Sequence, residues 1–71
     1  MSEADEARAR VRRLLLSGDN ILKNRDDTSR DRARRRYAEA LQAARSAGLD
    51  DLEPIIALRL GDLEGGPHDH S

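Results

Sequence analysis

The sequence predicts an all-α protein: an antiparallel helical hairpin, a third helix and a flexible C-terminal tail. Three observations carry this reading. Apolar residues recur at helical spacing in three stretches, and in the most regular of them, residues 32–49, strand alternation fails within a few positions. Turn formers separate the stretches, with KNRDD at 23–27, Gly48 ahead of Asp50 and Asp51, and Gly65, Gly66 and Pro67 at the end. Alanines and a lone tyrosine furnish the central stripe, a composition suited to helices packed closely together.

The first helix is expected to start at Ser2, whose hydroxyl can cap while Glu3, Asp5 and Glu6 favour the positive end of the macrodipole. Ala7, Val11, Leu14, Leu15, Gly18, Ile21 and Leu22 then share one face. A glycine inside a helix costs about 1 kcal/mol against alanine. Gly18 on the apolar face therefore predicts a point where another helix backbone comes close.

Thr28 is the expected cap of the second helix, with Asp31 three residues on. Ala33, Tyr37, Ala40, Leu41 and Ala44 form its buried stripe, and the helix runs to about Ala47. Gly48 supplies the left-handed residue after the end, and Leu49 folds back on Ala44 as a Schellman contact. Asp51 is expected to cap the third helix, placing Pro54 at its third position, where the missing N–H breaks no intrahelical bond. Leu52, Ile56, Leu60 and Leu63 form one stripe of that helix, while Ile55 and Leu58 point elsewhere. Residues 1–64 thus make one three-helix module and 65–71 a tail.

Leu14-Leu15-Leu16-Ser17-Gly18-Asp19 is echoed by Ala57-Leu58-Arg59-Leu60-Gly61-Asp62, a period of 43 when the Gly-Asp pairs are superposed. Together with Ile21, Ala33, Tyr37 and Ala40, these residues resemble a tetratricopeptide-type repeat (TPR). Leu15 and Gly18 match the large and small pair of its first helix, and Ala33, Tyr37 and Ala40 match the Ala, aromatic and Ala of its second. Leu60 and Gly61 look like the start of a further repeat. The interval from Gly18 to Ala33 is longer than the family's, and Pro54 does not fall where the family's turn proline does. The resemblance, which covers about Val11 to Leu63, is to a solitary long-hairpin relative. It implies peptide or subunit binding and does not imply catalysis.

Composition narrows the function. With 71 residues and one aromatic there is room for one domain and no large enzyme core. The absence of cysteine removes disulfides, thiolate zinc sites and thiol nucleophiles. Ser2, Ser17, Ser29, Ser46 and Ser71 lack a neighbouring histidine, no glycine-rich phosphate loop occurs, and capping accounts for the carboxylates at helix starts. The chain is expected not to be an enzyme and to need no cofactor. His68, Asp69 and His70 offer two imidazoles with no third ligand, so the tail is expected to hold no metal. An acidic N-terminus without an apolar core, and no apolar run long enough to span a bilayer, predict a cytoplasmic protein without membrane attachment.

The net charge of −1 hides an uneven distribution: residues 1–22 are balanced, residues 23–45 sum to +4 and residues 46–71 to −5. Such asymmetry can steer a partner or pair one copy with another. Arg30, Arg32, Arg34, Arg35 and Arg36 form the basic patch, for which the alternative reading is a nucleic-acid accessory protein. The only aromatic lies on the core stripe, where it cannot stack on bases, so a protein or peptide partner, or a second copy, is favoured. The expected partner-binding residues are Ile55, Leu58 and Leu63 on the third helix and Arg32, Arg35 and Arg36 on the second. The favoured function is an adaptor or assembly module that docks on a larger protein or self-associates through its third helix.

Overall fold

The computed structural model describes residues 2–24 and 27–65, and of residues 27 and 64 the backbone alone. The described residues form three α-helices, α1 (Glu3–Leu22), α2 (Asp27–Ala47) and α3 (Glu53–Gly65). α1 and α2 make the antiparallel hairpin, and α3 packs chiefly on α2, sharing few backbone contacts with α1. The expected tail beyond Gly65, with His68, Asp69 and His70, lies outside the described residues. Among the described residues, no helix is long and apolar enough to cross a membrane.

Local chemistry sets most helix ends. Ser2 is extended (φ −94°, ψ 162°), and its hydroxyl accepts from the Asp5 N–H at 3.2 Å, with acidic residues filling the first turn. At the end of α2, Gly48 has φ +70°. The Leu49 N–H donates to the Ala44 carbonyl at 2.8 Å, and the Gly48 N–H to the Arg45 carbonyl at 3.1 Å. With Leu49 and Ala44 both buried, this is the complete Schellman motif.

Two expected caps are corrected. α2 begins at Asp27, which places Thr28 within the first turn. α3 begins at Glu53, and the Ile56 N–H donates to the Leu52 carbonyl at 3.1 Å, so Leu52 is the half-in residue and Pro54 the second helical position. Proline is as harmless there as one residue later. Asp51 is drawn off by Arg8 of α1, whose guanidinium donates to it at 2.8 Å. That hydrogen bond, more than the accompanying charge, holds the Asp51 carboxyl below its usual range.

The core is a single cluster of Val11, Leu15, Ala33, Tyr37, Ala40, Ala44, Leu49, Ile56 and Leu63. Ala7, Leu14, Ile21, Leu22, Leu41, Leu52 and Leu60 are half-buried against it. Each expected stripe therefore faces inward. Leu63, expected to bind a partner, is a core residue at 8 % exposure, because the stripe it shares with Ile56 lies against the hairpin.

Gly18 is buried, as its place on the stripe predicts, but what approaches it is an aromatic ring. A Cβ built on Gly18 would lie 2.5 Å from Tyr37 Cε1 and 2.9 Å from Cζ. Those atoms cannot yield cheaply, since Tyr37 is 1 % exposed and its hydroxyl is engaged. A Cβ built on Gly61, at the matching position of the internal repeat, would meet no neighbouring atom within 4 Å.

The two glycines should thus respond oppositely to alanine. Gly18→Ala gains helix propensity but drives a methyl into the ring, and overpacking of about 1 to 3 kcal/mol outweighs about 1 kcal/mol of propensity, lowering the melting temperature. Gly61→Ala gains the propensity alone and should raise it. Thermal denaturation followed by circular dichroism checks both, and equal shifts would place Tyr37 elsewhere.

Candidate functional site

One polar cluster spans all three helices. Asp19 lies one residue beyond Gly18 and hence beside the Tyr37 ring. Its carboxylate accepts a short hydrogen bond from the Tyr37 hydroxyl at Oδ1. Arg59 of α3 donates to the same group, from Nε to Oδ1 at 3.2 Å and from Nη2 to Oδ2 at 3.3 Å. The two-pronged geometry suits guanidinium and carboxylate planes, and it fastens α3 to a helix it otherwise barely meets.

Electrostatics follow from this arrangement. Burial raises the Tyr37 phenol, and accepting carboxylate and charge from Asp19 raise it further, to about 12. For Asp19, burial pushes upward, but hydrogen bonds from Arg59 and Tyr37 and the charge of Arg59 outweigh it, leaving the carboxyl below its usual range. A phenol held neutral and a carboxylate held charged are suited to structure and poor at moving protons near neutral pH. Among the described residues, no group of His, Cys, Asp and Glu is arranged to hold a metal ion.

Two surfaces stand apart from this cluster. The first is an open groove of about 1590 Å³ between α1 and α2, where Arg32, Arg35 and Arg36 come together as the sequence pattern suggests. Arg10 and Arg13 of α1 join them from across the hairpin, and Glu3, Asp5 and Glu6 line the other end. Arg36 lies 3.7 Å from Glu39, whereas Arg10, Arg13, Arg32 and Arg35 have no ion pair among the described residues. Arg34 turns away toward Asp31 at 3.7 Å, and Arg30 is exposed outside the groove, so the basic run is divided. Small side chains, among them Ala7, Ala43 and Ala47, floor the groove.

The second surface is the outer face of α3. Ile55 is 44 % and Leu58 69 % exposed, and they stand one turn apart beside exposed Pro54, Ala57, Gly61 and Asp62. The structure thus keeps Ile55 and Leu58 on a different surface from Arg32, Arg35 and Arg36, with Leu63 on neither. α3 covers the flank of α2 that carries Leu41 and Arg45, where Arg45 meets Glu53 at 3.6 Å, and the groove opens on the other flank.

Sequence reasoning did not find Arg10 and Arg13 as groove residues. The available signal is their offset from the Val11 and Leu15 stripe, which places both on the flank of α1 that borders Arg32 and Arg35 once the hairpin closes.

The titration of the single tyrosine checks the cluster. Tyrosinate absorbance should rise with a midpoint near 12 in the folded protein and near the ordinary 10.0 after denaturation. Because the folded value is raised, the stabilisation is complete below pH 10.0 and is lost as pH climbs through about 12. Asp19 contributes in the opposite sense, above its ordinary 3.8, and its contribution fades as pH falls through the depressed folded value. Asp19→Asn should lower the tyrosine midpoint and flatten the acid limb of a stability profile.

No known protein family, curated protein or solved structure matches this chain.

Proposed function

We propose that the protein is a non-catalytic interaction module of tetratricopeptide type, which docks on another protein through the outer face of α3. The observation that carries this is the adjacent exposure of Ile55 and Leu58 on a helix whose opposite stripe is already buried. Two large apolar side chains side by side in water gain from a partner that desolvates them, at about 25 cal/mol per Å² of apolar surface covered. The small core points the same way. Alanine supplies three of its nine members, so the isolated unit has little stability to spare, and an associated surface adds to it.

A second reading has its own observation, the convergence of Arg10 and Arg13 on Arg32, Arg35 and Arg36, which would suit a polyanion. Acidic residues close one end of the same groove, and Tyr37 is buried away from it. Both features favour a protein surface of mixed charge over nucleic acid.

Replacing Ile55 and Leu58 together with Glu should leave the helical signal nearly unchanged, as both side chains are substantially solvated already, and should lower the melting temperature only by what association adds. Self-association or partner capture should be lost in the same variant. A generic RNA added in a salt series decides the second reading, since phosphate binding would weaken steeply with salt.

A further inference from the structure

We propose that the occupant of the groove is the α3 outer face of a second copy of this chain, so that molecules assemble head to tail. This rests on the reading of that face as an interaction surface and adds the surface it meets. Three observations support the pairing.

The first is charge. The groove carries Arg10, Arg13, Arg32 and Arg35 without ion pairs among the described residues, whereas residues 46–71 sum to −5. Asp62 is exposed on the outer side of α3 and has no ion pair among the described residues. The last turn of α3 holds no basic residue, which leaves the negative end of its dipole unopposed. Both features direct the end of α3 toward the arginines.

The second is size and relief. α3 has 13 residues, about 20 Å at 1.5 Å per residue. On α2 the groove extends from Arg32 to Ala47, about 22 Å by the same rise. Its alanine floor admits bulky side chains, and Ile55 and Leu58 are the bulk on α3, bordered by small neighbours that let the helix sink.

The third is placement. Groove and outer face lie on opposite flanks of α2, so one molecule cannot satisfy itself, and a pair that joins groove to face leaves one of each unused. Such a contact is heterologous and propagates instead of closing as a two-fold dimer.

Sedimentation of two double variants and their mixture tests this, with circular dichroism confirming that each is folded. One variant is Ile55→Glu with Leu58→Glu, the other Arg32→Glu with Arg35→Glu. The wild-type chain is expected to form oligomers that lengthen with concentration, and each variant alone to remain monomeric. An equal mixture is expected to form a one-to-one complex and stop there, because only one intact groove and one intact face remain to meet. If the charge-reversed groove variant does not fold, Arg13→Gln with Arg35→Gln takes its place. A groove variant that associates like wild type overturns the proposal while leaving α3 as an interface, since copies then pair face to face. A mixture that stays monomeric overturns it, as does a wild-type chain monomeric at high concentration. In that last case, capture of a different protein that the Ile55 and Leu58 variant loses would keep the reading of α3 intact.

Discussion

The contact of Tyr37 with Gly18 and Asp19 is the constraint on which the rest of the architecture depends. α2 lays mostly alanines against α1, and alanine buries little apolar surface, so the hairpin concentrates its bulk in one ring. A ring that large fits between close helices only where the facing residue has no side chain, and Gly18 provides that site. The hydroxyl must then find a partner, because an unsatisfied buried phenol costs about 1 to 3 kcal/mol. Asp19 is the residue within reach, and it serves a second purpose. Its carboxylate is also held by Arg59, so the bond that seats the ring of α2 fastens α3 to α1.

Partial exposure makes this cluster affordable. The Asp19 and Arg59 side chains retain 39 % and 35 % of their exposure, so neither charge bears the desolvation cost of a fully buried pair. By the same token the pair is screened and contributes modestly on its own. Its value lies in position. α3 packs mainly on α2, and without ties to α1 it could roll about the α2 axis. Arg59 on Asp19 and Arg8 on Asp51 both oppose that motion, one from the body of α3 and one from the turn before it.

What the sequence disclosed and what it did not follow from the range of the forces involved. The Ser2 cap, the Gly48 and Leu49 Schellman motif and the three apolar stripes involve residues within a few positions of one another, and helical spacing alone reveals them. Asp51 is different, because its partner Arg8 is 43 residues away, and a long-range ion pair took a carboxylate that local rules assign to a cap. Leu63 shows a second limit. A helical wheel separates the Ile56 side of α3 from the Ile55 side, but only packing shows that the first, with Leu63, faces the hairpin. Gly18 shows a third: its burial is legible, whereas the identity of what fills the space depends on the register of the facing helix. The groove is legible only in part for the same reason, since Arg32, Arg35 and Arg36 declare themselves on one helix while Arg10 and Arg13 join through closure of the hairpin.

The fastening of α3 also bears on the proposed assembly. In a heterologous contact, the angle between the two surfaces of one molecule is repeated at every junction and sets whether copies form a ring or an open fibre. Here that angle is the orientation of α3 on the hairpin, held by Arg59 on Asp19, Arg8 on Asp51 and Arg45 on Glu53. None of these six side chains stands on the outer apolar patch of α3, and none lines the groove. In the proposed assembly they would therefore govern the geometry of association without taking part in it. A molecule with so small a core would gain stability from each copy bound in such an assembly, which would couple shape and stability through the same few ion pairs. Weakening one of them would loosen the direction in which copies add before it removed their affinity, because Ile55, Leu58 and the arginines would still be in place.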